Sequence, residues 1–287
     1  MAAVVGGGGK RVLKYIKYET DSNGITTVTL SRPPVNAFNR EMSHELILAL
    51  DSFAAREGEK ILILTGEGKA FSTGEDLRNI DLDWSNSEMS EYADQALRKY
   101  HEIVRMILRT GKPIIAMLNG FAAGAGMSIA LACDERYALI EDASRESYDA
   151  SIFFPAFVDM GLVADAGMTA TLPRLVGKHK SQELCDEPGV RLTIQDSLQL
   201  GIIDACVWMS SVDPGFVTVT GKHIPRGFSP LAYGLSKNIR NEALLYKLDK
   251  RVFPWEFRAQ TSCLLSDYFK DKAKAFLAKP KIKKDGA

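Results

Sequence analysis

Short apolar runs and helix-periodic stretches alternate along the first half of the chain. Ile25–Leu30 (ITTVTL) is rich in β-branched residues and follows the turn signal Ser22-Asn23-Gly24, which predicts a strand. Residues 40–56 place Met42, Leu46, Ile47, Leu50 and Phe53 at helical spacing. Residues 60–65 (KILILT) predict a short buried strand, closed by a polar loop around Gly66 and Gly68. Residues 87–110 predict a long amphipathic helix ended by Gly111-Lys112-Pro113. Two further strands are expected at 113–118 and 136–140, separated by a Gly/Ala-rich turn and an apolar helix over 127–133. Strand–helix–strand alternation of this kind implies βαβ crossovers and a mainly parallel sheet. From about residue 166 the pattern becomes helical. Thr193-Ile194-Gln195-Asp196 has the form of a capping box, residues 202–208 predict a strand, and residues 229–276 read as helical apart from Pro254. The expected α/β architecture is a flexible leader over 1–14, a core over 15–205 and a helical C-terminal region over 206–287, without internal repeats.

Composition narrows the function classes. The 287 residues suffice for one large α/β domain, and 46% hydrophobic with 25% charged residues is ordinary for a globular protein. Lys+Arg and Asp+Glu both number 36, so the balance gives no reason to expect nucleic acid or an anionic membrane as partner. No apolar run reaches the roughly 18–20 residues of a membrane span. Cys133, Cys185, Cys206 and Cys263 lie far apart without CxxC spacing, which fits reduced thiols in a cytoplasmic protein. The start lacks the apolar core of a signal peptide. Its four glycines before Lys10 are not followed by the Ser or Thr of a phosphate loop. The end, KPKIKKDGA, reads as a solvated basic tail without a peroxisomal Ser-Lys-Leu address.

The chemistry concentrates in two glycine-containing turns, each after a buried strand. They are Phe71-Ser72-Thr73-Gly74-Glu75-Asp76 and Gly120-Phe121-Ala122-Ala123-Gly124-Ala125-Gly126, the second opening into a helix. Stabilising a thioester enolate needs two donors aimed at one developing oxyanion. Backbone N–H groups suit this because they are rigid and do not titrate, and a helix N-terminus adds free N–H groups and a favourable dipole. FSTGED resembles the F-(S/A)-(S/A)-G-x-D signature of the crotonase (enoyl-CoA hydratase/isomerase) family. NGFAAGAG resembles that family's N-G-x-A-x-G-G-G signature, with Ala125 where the middle Gly is usual. The resemblance extends through residues 31–38, 161–177, 192–207 and 268–279, about residues 15–280 in all.

The resemblance implies a crotonase-like ββα spiral core with a helical C-terminal trimerisation region. It implies an acyl-CoA thioester substrate, with coenzyme A as part of the substrate and no separate cofactor or metal, and a homotrimer or hexamer. The oxyanion donors would be the N–H groups of Glu75 and Ala125, with the Glu75 side chain facing solvent. Ala37, Ser72, Gly74, Gly124, Ser128, Phe157, Phe276 and Lys279 would bind substrate, the last two at adenine and phosphate. Hydratases of the family hold a water between two glutamates, whose positions here carry Ser128 and Phe157; neither can act as an acid or base near neutral pH. Asp165, in Gly161-Leu162-Val163-Ala164-Asp165-Ala166-Gly167, matches the carboxylate of the isomerases. It is expected to be the acid/base of a Δ3 to Δ2 enoyl shift, its pKa raised by apolar neighbours such as Phe157, Met160 and Val163. A helix cap is the alternative role for Asp165, and Asp159 reads as a surface or salt-bridge residue.

Other readings remain open at this level: ring-epoxide isomerisation of an aryl-CoA, hydration, or a catalytically silent acyl-CoA-binding protein. A serine hydrolase is disfavoured because Ser128 falls inside a helix rather than at a sharp turn after a strand. His44, His101, His179 and His223 form no motif that identifies a base or a metal site. Residues 141–156 exceed the family spacing by about five, which would reshape the acyl pocket. In residues 252–277, Phe253, Trp255, Phe257, Leu264, Leu265, Tyr268, Phe269, Phe276 and Leu277 must find cover on the chain's own core or on a neighbour.

Overall fold

A computed structural model describes residues 3–5, 10–140, 144, 148–155, 157–208 and 229–279. His223, the tail beyond Lys279 and much of the 141–156 segment lie outside the described residues. Strands β1 (Ala3–Val5) and β2 (Lys10–Val12) pair antiparallel in the stretch expected as a flexible leader. The main sheet begins with β3 (Ile16–Thr20), which the sequence reading missed, and β4 (Ile25–Leu30). Helix α1 (Arg40–Ala55) follows, started by the Asn39 side chain accepting the Met42 N–H. Then come β5 (Ile61–Gly66), β6 (Ala70–Ser72), α2 (Asn86–Arg109), β7 (Ile114–Leu118) and β8 (Phe121–Ala123). Helix α3 (Ala125–Ala132) starts two residues before its expected position, because β8 and Gly124 shorten the turn ahead of it. Next are β9 (Glu135–Ile140), β10 (Ser151–Phe154), α4 (Met168–Val176), α5 (Lys178–Asp186) and β11 (Leu192–Thr193). The Thr193–Asp196 capping box opens α6 (Ile194–Gln199), and β12 (Ala205–Trp208) follows. Helices α7 (Pro230–Lys247), α8 (Phe253–Leu264) and α9 (Asp267–Leu277) complete the chain.

Among the described residues the main sheet has the order β12-β9-β7-β5-β4-β3, parallel throughout except for the β3–β4 pair. Central parallel strands are buried on both faces, which is why β5 reads as an unbroken apolar run. Leu62 and Leu64 face the helical layer with Val28, Leu30 and Ile114, while Ile61 and Ile63 pack with Ile115 and Tyr137 on the other side. A second sheet, β11-β10-β8-β6, was not foreseen. Its strands are two to four residues long, too short to show a period.

Pro254 does not interrupt the C-terminal helices. The π-helical turn Leu248–Val252 carries α7 into α8, and Pro254 sits in the first turn of α8, where a missing N–H costs nothing. Phe253, Leu264 and Phe269 are buried, Phe269 and Ala273 packing on Ile80 and Met89. The C-terminal helices therefore cover the chain's own core. Trp255, Tyr268, Phe276 and Leu277 stay exposed, as do Leu231, Leu235 and Ile239 on α7.

Candidate active site

The short parallel pair β6–β8 brings the two glycine turns together. Ala70 pairs with Phe121 and Ser72 with Ala122, so both strands release their turns on the same edge. Gly74 has φ +76, and a Cβ there would lie 2.8 Å from the Ala125 nitrogen and 2.9 Å from the Ala123 oxygen. Only glycine lets the turns approach this closely. Gly124 caps α3 with φ +50 and ψ −131, a conformation reserved for glycine, and thereby aims the first N–H groups of the helix out of the turn.

The first turn is braced by residues 31–38. The Phe38 N–H donates to the Gly74 carbonyl (2.7 Å) and the Asp76 N–H to the Phe38 carbonyl (2.9 Å). The intervening Glu75 N–H therefore points away from Phe38. The Ser72 hydroxyl donates to the Asn36 carbonyl (2.8 Å) and accepts from the Gly74 N–H (3.2 Å). Arg32 donates to the carbonyl of buried Ala37 (2.7 Å) and pairs with Asp76 (2.8 Å), which Arg78 also binds (2.7 Å). Burial alone would raise the Asp76 carboxyl, but the Arg78 and Arg32 guanidiniums prevail and hold it below the usual range. Among the described residues neither the Glu75 N–H nor the Ala125 N–H meets an acceptor. Two free donors at adjoining turns have the form of an oxyanion hole.

The Glu75 side chain corrects the expectation of a solvent-facing carboxylate. Tyr92 donates to its Oε1 and Tyr100 to its Oε2. It lines a cavity of about 540 Å³ together with Asn39, Trp84, Glu88, Tyr92 and Lys99. Burial pushes the Glu75 carboxyl up to about 7 against the opposing pull of the Tyr100 and Tyr92 hydroxyls, with Asp76 adding repulsion. The same burial, with the Glu75 charge, raises both tyrosines, so they remain donors.

Asp165 is 5% exposed. It does not cap α4: Gly167 occupies the cap, which has no side-chain hydrogen bond. The Asp165 carbonyl accepts from the Ser128 hydroxyl (3.0 Å), tying its loop to the first turns of α3. Oδ2 accepts from Gln260 Nε2 on α8 (2.9 Å), and the same amide accepts the Val163 N–H (3.1 Å). Oδ1 is buried without a hydrogen-bond partner. The carboxyl is held well above its ordinary range by burial first, then by Glu256 and Glu75, against the pull of Gln260. Burial, the cause expected from the sequence, ranks first, and the Glu256 and Glu75 carboxyls add a repulsion that was not expected.

Phe157 is buried beside the 158–160 turn, its carbonyl accepting from Leu162 (2.8 Å). Asp159 accepts from the Gly189 N–H (2.8 Å). Phe276 is exposed in the last turn of α9 and Lys279 just past its end, and among the described residues no hydrogen bond or ion pair ties either to the two turns or to Asp165. Sequence reasoning missed Tyr92, Tyr100, His101, Glu256 and Gln260. His101 gave one signal, a titratable side chain between Leu97 and Val104 on the apolar face of its helix. Ser128 lies in α3, hydrogen-bonded to carbonyl oxygens alone, which excludes a nucleophile elbow there.

A family model for enoyl-CoA hydratase/isomerase matches residues 20–280. The chain is 32% identical over 269 residues to a probable enoyl-CoA hydratase of Rhodobacter capsulatus, covering 92% of this chain and 95% of that one. It is 31% identical over 262 residues to the 1,2-epoxyphenylacetyl-CoA isomerase of Escherichia coli, covering 89% and 93%. Among solved structures, an enoyl-CoA hydratase from Mycobacterium avium subsp. paratuberculosis is similar at a TM-score of 0.76 and 25% identity, over 93% and 96% of the two chains.

Proposed function

Because the chain belongs to the enoyl-CoA hydratase/isomerase family, we propose that it is an acyl-CoA isomerase that shifts a Δ3 double bond to Δ2. The observation that carries this reading is the Asp165 carboxyl, buried, with one oxygen free of partners. The thioester oxygen would sit between the N–H groups of Glu75 and Ala125. Ionised Asp165 removes a proton from C2, and the electron pair spreads into a dienolate whose oxygen those donors stabilise. The dienolate then takes the proton back from Asp165 at C4, leaving the C2=C3 bond conjugated with the carbonyl. The carboxyl ends as it began. Its raised proton affinity brings it nearer that of the carbon acid, which eases both transfers. Glu75 and Ala125 act through backbone atoms, and Ser72, Ala37 and Asp76 hold the turn in place. Ser128 links Gly124 to the Asp165 loop through its hydroxyl, and Phe157 would line the acyl path. Phe276 and Lys279 would reach the nucleotide end of coenzyme A, and the exposed apolar side chains of α7 to α9 support assembly as a trimer or hexamer.

Ring-epoxide isomerisation of an aryl-CoA is the second reading, favoured by the 31% identity to the Escherichia coli isomerase over 89% of the chain. Incubating the pure protein with 3-enoyl-, 2-enoyl- and aryl-epoxide CoA thioesters separates these activities. Conjugated 2-enoyl product from the 3-enoyl substrate, lost in Asp165→Asn, is the expected result. Binding of all three without turnover would make the chain a binder and refute the proposal.

A further inference from the structure

Behind Asp165 lies a buried pair that the isomerisation does not consume. Glu256 and His101 are each 5% exposed. Both Glu256 oxygens accept the Gly167 N–H at 3.1 Å, and Oε1 accepts from the Thr169 hydroxyl at 3.3 Å. Oε2 lies 3.1 Å from His101 Nε2 on α2. The His101 ring stacks on Phe253, with centroids 3.9 Å apart and planes inclined by 17°. Burying an ionisable pair is unfavourable, and well-packed apolar side chains hold two helices together at less expense. Adhesion of α2 to α8 therefore does not account for the pair.

We propose that the Glu256–His101 pair is a positioning device for Asp165, clamping the turn that carries it and setting a second carboxyl behind the reacting one. The inference rests on Asp165 being the acid/base of the proposed reaction. Gly167 lies two residues beyond Asp165, and its left-handed backbone (φ +76) directs its N–H at Glu256. His101 anchors Glu256 from α2, so the turn is fixed to two helices at once. Glu256 and Gln260 are four residues apart on one face of α8 and act on the Asp165 carboxyl in opposite senses. Gln260 donates to it and favours its ionised form, whereas Glu256 repels that form and ranks next to burial among the causes of its raised proton affinity. The other groups turned toward Asp165 are Glu75 from the first turn and Tyr100 from α2, the latter occupied by Glu75. Ser128 of α3 meets only its carbonyl. Arg105, 4.8 Å over the Phe253 ring, is committed to Asp249 (2.6 Å) and Glu102 (3.1 Å).

The test uses the full-length protein carrying Glu256→Gln, which keeps the side-chain shape and an acceptor for Gly167 but removes the charge. The proposed isomerisation requires ionised Asp165, so its rate climbs with pH. In Glu256→Gln the midpoint of that climb should move to lower pH, with the plateau kcat within about threefold of the parent. Glu256→Leu also removes the acceptor and should lower the plateau kcat at least tenfold at little change in KM. A midpoint that stays in place or moves up in Glu256→Gln overturns the inference. So does failure of Glu256→Gln to fold, because that would show a scaffold role. A readout independent of turnover is the Tm difference between Asp165→Asn and its parent, followed from about pH 4 to 8. It should grow with pH, and stop growing at lower pH in the Glu256→Gln background. If Asp165→Asn retains full turnover, the acid/base reading itself falls; if it is inactive and Glu256→Gln leaves the profile unmoved, only the clamp falls.

Discussion

Glu75→Gln should make the protein's stability less dependent on pH, by an amount that follows from the site. The Glu75 carboxyl stands at about 7 in the fold against a reference of 4.5. Below pH 4.5 the group is protonated both folded and unfolded and contributes nothing to the pH dependence. As pH rises toward 7 the unfolded chain ionises while the folded chain keeps its proton, so the folded state loses stability across that window. Above 7 both forms are ionised and the loss is complete. The displacement from 4.5 to about 7 corresponds, at about 1.4 kcal/mol per pH unit, to a ceiling of about 3 kcal/mol. Glu75 keeps some solvent contact, and screening by that water reduces the figure to roughly 1–2 kcal/mol. For a chain of this size that is a few degrees in Tm. Gln retains an acceptor for one tyrosine and does not titrate. The difference in Tm between Glu75→Gln and the parent, measured by scanning calorimetry from pH 4 to 8, should therefore grow with pH and level off above about 7. A difference that is flat, or that shrinks with pH, would mean that Tyr92 and Tyr100 outweigh burial and keep the carboxylate ionised, which refutes the reasoning.

Asp165→Asn should retain acyl-CoA binding while isomerisation falls on the order of 10² to 10⁴-fold, the usual reach of general acid/base catalysis, and unchanged turnover would remove Asp165 from the mechanism. Gly74→Ala forces a methyl to within 2.8 Å of the Ala125 nitrogen at φ +76; turnover should drop by about 10² as the two donors part, with the circular dichroism unchanged. Hydration of crotonyl-CoA should be negligible, since Ser128 and Phe157 carry no acid or base, and rapid formation of a 3-hydroxyacyl product would contradict this. Light scattering should give a trimer or hexamer mass, lowered by Ile239→Glu at a position 76% exposed in the single chain; a monomer mass for the parent at micromolar concentration refutes the assembly.

Legibility in the sequence followed the range of the interactions involved. The parallel strands and α1 to α3 could be read because burial on one or both faces imprints a period or an apolar run on neighbouring residues. The two glycine turns could be read because backbone geometry there demands glycine at fixed offsets, as Gly74 and Gly124 show. The companions of Asp165 could not. Gln260 and Glu256 lie 95 and 91 residues from it along the chain, and such a pairing leaves no mark on either local pattern. The 70–72 and 121–123 strands were hidden for a different reason: pairing to each other, and not a face of their own, makes them strands. The Glu75 side chain was misjudged because its surroundings are assembled by α2, two turns of which bring Tyr92 and Tyr100 to the same carboxyl.

Three carboxyls in one neighbourhood constrain which of them can exchange a proton. Like charges that feel one another in a largely buried region cannot all be ionised unless each finds compensation. Glu75 has two tyrosine hydroxyls, one on each oxygen. Glu256 has the Gly167 N–H, the Thr169 hydroxyl and the His101 ring. Asp165 has a single amide donor on Oδ2 and none on Oδ1. Asp165 therefore has the least compensation for a charge, and among the described residues its Oδ1 is the one oxygen of the three carboxyls that carries no hydrogen bond. A C–H bond beside a thioester asks little of such a partner in the ground state and gives it a proton in the transition state, which is the differential interaction that catalysis requires. Adding a full complement of donors to Asp165 would stabilise the resting carboxylate and weaken it as a base. In the proposed isomerisation, the sparse solvation of Asp165, rather than its mere presence in the 161–167 segment, would suit it to moving a proton between carbons.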